Sequence, residues 1–138
     1  MKHPPVSELL ASVSRFLRDE LLPTLSGARA FNLRVSINAI DLVRREIEQQ
    51  AGADQRERER LRLARLLGSE ADLETMRKEL CEKIARGELT LAEPALGEHL
   101  RATAIDRLAI DQPTYSAYLA ALAQSGGAGS SDNEKSEE

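Results

Sequence analysis

The sequence predicts an all-α fold: a compact bundle of five to six helices, residues 1–124, followed by a disordered acidic tail, residues 125–138. Three observations predict it. Large apolar residues recur at three- and four-residue steps in segment after segment, as one face of a helix requires, and no strand alternation is found. Proline and glycine fall between these segments, where helices stop or start. At Ser125 the composition changes abruptly to SGGAGSSDNEKSEE, which has no apolar side chain larger than Ala and so cannot enter a core.

The elements follow in order. Ser7 is a candidate N-cap with Glu8 in the first turn, and Leu9, Leu10, Val13, Phe16, Leu17 and Leu21 form the apolar stripe of a helix over 7–22. Pro23 closes it. A second helix is expected over 28–50, with Phe31, Val35, Asn38 and Leu42 on one face. Leu33, Ile37, Ile40, Val43 and Ile47 cover most of the rest, so this helix is expected to be central, with Gly52 as its stop. A third helix over 54–67 opens in a charged run and ends at Gly68. Ser69 and Asp72 offer a cap-like start for a fourth helix over 72–86, with Leu73, Met76, Leu80 and Ile84 as its stripe and Gly87 as its end. Pro94 suits the first position of a fifth helix reaching about Ile110, and Pro113 separates it from a short sixth over 115–124.

Composition narrows the function. Of 138 residues, 41% are hydrophobic and only 3% aromatic, without a single Trp, so the core rests on Leu, Ile, Val and Ala. Base-stacking platforms need aromatic rings, and a net charge of −4 disfavours nucleic acid and anionic membranes as partners. The tail's four carboxylates against Lys135 account for most of that charge. Cys81 is the single cysteine, so no intrachain disulfide can form, and a reducing cytoplasm is the simplest compartment. The start, MKHPPVSELL, lacks a signal peptide's apolar core, and no run is apolar and long enough to span a bilayer.

The motifs that carry chemistry are few. The histidines, His3 and His99, are far apart, no CxxC is present, and no glycine-rich phosphate loop or GxSxG elbow occurs, so no catalytic residue, cofactor or metal is expected. Cys81 sits beside an apolar stripe and reads as a small core residue. The alternating charges of Arg56–Arg65 read as a solvated face rather than a binding strip. An enzyme built on His99 with Glu98 or Asp111 would lack a positioned nucleophile.

Two blocks are harder to dismiss. Arg34 and Asn38 are one turn apart in an apolar helix. The favoured reading is structural: a buried Asn38 amide bonds a loop backbone and fixes a helix contact. The other reading projects Arg34, Asn38 and Arg45 towards a partner. In the second block, HLRATAIDRLAIDQPTY, Arg107 and Asp111 can pair at i, i+4, and Pro113 and Tyr115 form a compact end; His99 opens the segment. The block is either a solvated C-terminal helix or a lock against another helix or chain.

These residues carry a resemblance. Glu8-Leu9-Leu10 through Phe16-Leu17, Phe31-x-x-Arg34-Val35-x-x-Asn38-Ala39, Arg45-Glu46, Pro94-Ala95-Leu96, His99-Leu100-Arg101-Ala102-Thr103 and Leu108-Ala109-Ile110-Asp111-x-Pro113-x-Tyr115 together span about residues 5–118. On them the chain resembles a family of small helical bacterial proteins that accompany aminoglycoside-phosphotransferase-like kinases and acyl-CoA dehydrogenases. One branch is similar to the small subunit of the kinase that phosphorylates 4-hydroxyacyl-CoA in levulinate breakdown. The resemblance implies a non-catalytic accessory subunit whose partner is the kinase, which would supply the ATP and magnesium chemistry. An independent helical interaction module or homodimer is the alternative.

Overall fold

The structure is a computed structural model that describes residues 3–68 and 71–127. Among these residues it contains five α-helices and no strand: α1 (Val6–Phe16), α2 (Gly27–Ala64), α3 (Leu73–Ala85), α4 (Pro94–Asp111) and α5 (Ser116–Gly127). They fall into two compact units, Met1–Arg58 and Glu59–Glu138, and the last turns of α2 belong to the second.

In the first unit α1 runs on into a π-helical turn, Leu17–Leu21, and a 3₁₀ turn, Leu22–Thr24, that contains Pro23. The chain then reverses through Gly27, whose φ of +62° favours glycine. The result is an antiparallel helical hairpin. A polar pair and buried apolar groups mark its contact. Ser14 is the buried residue of α1, and it meets Asp41 on α2, where Ala30 and Ile37 are also buried. The expected apolar stripe of α1 takes a different place: Leu10 and Leu17 are half-buried, while Leu9, Val13, Phe16 and Leu21 are exposed. The reason lies in the side chains. Asp41 needs donors, and Ser14 and Arg18 on the polar side of the first helical run provide them.

α2 corrects the expectation of two helices. It passes through Gly52 without interruption and has 38 residues. A glycine ends a helix when it takes the left-handed conformation, and Gly52 does not. Its neighbours are helix formers, and the Gln50 amide donates to Asp54 across it at 2.8 Å. The left-handed residue that follows α2 is Arg65, φ 51°, three residues before the expected Gly68. The apolar girth from which a central helix was expected is left largely uncovered: Phe31, Val35, Val43 and Ile47 are exposed.

The second unit holds a core of Leu61, Leu73, Met76, Leu80 and Leu96, flanked by Leu67, Ala71 and Leu89. α3 starts as expected at Asp72, whose carboxylate accepts from the Thr75 amide at 2.9 Å. It ends before Gly87, φ +75°. Two α3 side chains hold the end of the α2 segment: Glu79 accepts from the Gly68 amide at 2.9 Å, and Lys83 donates to the Leu66 carbonyl at 3.2 Å. Cys81, expected in the core, is exposed. Pro94 opens α4 as anticipated, and Gln112 caps it. α5 continues three residues past the expected end, with Ser125 donating back to the Ala121 carbonyl at 3.0 Å. The expected disorder of the tail beyond it, and the cap role of Ser69, lie outside the described residues.

Candidate functional site

The candidate site residues separate into an engaged set and an open set. The engaged set begins with Asp41, which sequence reasoning did not single out. Its Oδ1 accepts from the Ser14 hydroxyl at 2.6 Å, and its Oδ2 accepts from the Arg18 guanidinium. Burial would raise this carboxyl. The bonds from Ser14 and Arg18, with the charges of Arg18 and Arg44, outweigh that and hold it below the ordinary carboxylate value. The signal in the sequence was faint: one acid in an apolar run, paired through residues 23 and 27 positions away.

In the second unit the engaged groups line one stripe of α4. His99, Thr103 and Asp106 lie at i, i+4 and i+7, and His99 is only 3% exposed. Arg60, from the last turns of α2, donates to Thr103 Oγ1 at 3.0 Å and lies 3.6 Å from Asp106. Arg107 and Asp111 form the anticipated i, i+4 pair at 2.7 Å. Tyr115 keeps an exposed ring, while its backbone accepts from Leu119 and donates to Gln112, joining α4 to α5. Each of these contacts pairs polar groups inside one unit.

The open set is on α2. Asn38 is exposed, so the buried amide favoured on sequence grounds is corrected. The residue lies on a stripe that flanks the α1-facing side of α2, where Ala30 and Ile37 are buried: Arg34, one turn from both, stands at the edge of that side, and Asn38 lies about 80° round the helix from Ala30. Phe31, Arg34, Val35 and Asn38 occur at i, i+3, i+4 and i+7, all exposed, and Phe31 is the most open at 63%. Arg34 and Asn38 make no hydrogen bond or ion pair among the described residues. Arg45 continues the stripe and is half-buried. An aromatic ring, a valine, a guanidinium and an amide on one helix face can bind an apolar surface that carries a carboxylate or phosphate.

Among the described residues no helix is long and apolar enough to cross a membrane. No curated protein and no solved structure matches the chain. The opening pattern of α1 precedes the segment that a family shares, which runs from Pro23, the residue that ends the first helical run, to Tyr115, at the junction of α4 and α5. Over those residues, 23–115, the chain matches DUF6285, a domain of unknown function, and it belongs to that family.

Proposed function

We propose that the protein is a non-catalytic accessory subunit of an aminoglycoside-phosphotransferase-like kinase that acts on hydroxyacyl-CoA. The observation that carries the reading is the exposed face of Phe31, Arg34, Val35 and Asn38. An exposed phenylalanine beside a guanidinium with no acid to meet is the composition of a binding hot spot. The likeness of the Phe31–Ala39 and His99–Tyr115 blocks to kinase-associated small subunits supports the choice of partner. In this reading the kinase holds ATP, magnesium and the acyl-CoA, and the accessory subunit orders it. Arg34 meets a carboxylate of the kinase or a phosphate of CoA; Arg107 already has an acid partner in Asp111.

The test is co-expression with the kinase of the same organism, followed by affinity capture and an assay of acyl-CoA phosphorylation. The two chains should co-purify, and kinase activity should fall when the small chain is omitted. Phe31→Ala with Arg34→Glu should weaken the complex at least about tenfold, the result of losing about 1.4 kcal/mol, with helicity unchanged. A kinase that is fully active and stable alone would sink the proposal.

A further inference from the structure

The apolar stripe of α1 is a second open surface, separate from the Phe31 face. Val6, Leu9, Val13 and Phe16 occupy one side of the helix, each about half exposed, and no charged residue lies among them. The opposite polarity would be normal for an amphipathic helix, which buries its large apolar side chains. Here Ser14 is buried and Phe16 is exposed. With about 100° of rotation per residue and the helices antiparallel, Val43 and Ile47 of α2 fall on the flank that adjoins Val6 and Val13. Both are also exposed, so the hairpin presents a two-helix apolar surface.

We propose that this surface takes a second copy of the same chain, with the two α1 helices crossing antiparallel about a two-fold axis. The spacing of the stripe supports that occupant. From Val6 the steps are three, four and three, which reads the same in both directions. In an antiparallel pair, Val6 then meets Phe16 of the second copy, and Leu9 meets its Val13. Each layer sets a smaller side chain against a larger one, so two layers of similar volume form, and their mates repeat them by symmetry. The two hairpins together make a four-helix arrangement in which both α1 helices lose their exposed apolar side.

Area and charge favour the same occupant. A standard interface takes about 800 Å² from each partner, of which about 57%, or roughly 450 Å², is apolar. Six half-exposed large side chains on the hairpin supply area of that order, the size of contiguous apolar patch that marks an interaction surface. A partner with an acidic or basic surface would find nothing to pair with inside this stripe. The chain's own stripe is the surface of matching chemistry known to be present.

The proposal does not depend on the kinase, because it concerns the isolated full-length chain. Sedimentation equilibrium or light scattering should give twice the mass of 15.2 kDa. Val13→Glu should return the mass to one chain without loss of helicity, since Val13 is about half exposed and a carboxylate there can reach solvent. For pairing mode, Leu9→Cys and Val13→Cys chains, each carrying Cys81→Ser, are mixed and mildly oxidised. With equal amounts of the two chains, random pairing makes the mixed disulfide equal to the two symmetric ones together, so the antiparallel crossing requires the mixed Leu9→Cys–Val13→Cys disulfide to exceed their sum several-fold. A monomeric wild-type chain overturns the proposal, as does a dimer that Val13→Glu leaves intact. A mixed disulfide no more abundant than the two symmetric ones together overturns the antiparallel crossing. Should Val13→Glu unfold the chain, the disulfide pattern decides alone.

Discussion

Ser14 donates its hydroxyl to Asp41 at 2.6 Å, and this bond, with the Arg18 guanidinium on the other carboxylate oxygen, clasps α1 to α2. Both residues are withdrawn from solvent: Ser14 is 2% exposed and the Asp41 side chain 15%. The hairpin is therefore joined by a polar clasp beside the buried Ile37, while Val13, Phe16, Phe31 and Val35 stay exposed. Fold and function meet at this point. A hairpin that spent Phe16, Val13 and Phe31 on its own packing would have no face to offer.

Ser14→Ala tests the clasp. Removing the hydroxyl leaves a largely buried carboxylate oxygen short of a donor, which costs about 1–3 kcal/mol. Urea unfolding of the variant should show a lower midpoint with an unchanged slope. A midpoint equal to that of wild type would mean that Arg18 alone satisfies Asp41.

The Asp41 carboxyl gives the hairpin a pH dependence of defined sign. Its folded value lies below the ordinary carboxylate value, so the unfolded chain binds the proton more readily. The stabilisation is thus complete above the ordinary carboxylate range, near pH 4, and is lost as pH falls through the lowered folded value. Stability measured from pH 6 downward should fall more steeply for wild type than for Asp41→Asn. Parallel curves would assign the acid sensitivity to other carboxylates.

Helix positions were the legible part of the fold. Asp72, Gly87 and Pro94 act through local backbone geometry, and each marks the boundary its chemistry predicts. What was illegible depended on partners distant in sequence. The apolar stripe of α1 is a true periodic pattern, but periodicity shows only that a face exists and not what covers it. Asn38 illustrates the same limit: an amide inside an apolar run reads as buried, yet α2 has more apolar faces than the hairpin covers, and Asn38 lies on one left open. Asp41 was invisible for the converse reason, since its meaning resides in Ser14 and Arg18.

Gly52 offers a direct test of the unbroken α2. In a helix interior, replacing glycine by alanine gains up to about 1 kcal/mol. The new Cβ would stand 3.3 Å from the guanidinium Nη1 of Arg56, the mobile end of a long side chain that can shift by a few tenths of an ångström. Gly52→Ala should therefore raise the melting temperature and leave helical circular dichroism equal or slightly stronger. A loss of stability would indicate a helix stop at this glycine, with a left-handed conformation that alanine resists.

Arg60 tests whether the polar stripe of α4 is a structural seam. Its two contacts, Thr103 at 3.0 Å and Asp106 at 3.6 Å, are made by side chains that are each less than one third exposed, so solvent screens the charge pair only in part. Exposed pairs contribute little, whereas neighbours in a partly buried network couple by about 0.5–3 kcal/mol. A double-mutant cycle with Arg60→Ala and Asp106→Ala should give a coupling of about 1 kcal/mol in urea unfolding. Neither change touches the Phe31 face of α2, so capture of the kinase should be unaffected under conditions where the variants stay folded. Zero coupling would show that the pair contributes no more than a surface contact. Loss of kinase capture by a folded Asp106→Ala chain would move the partner surface from α2 to α4.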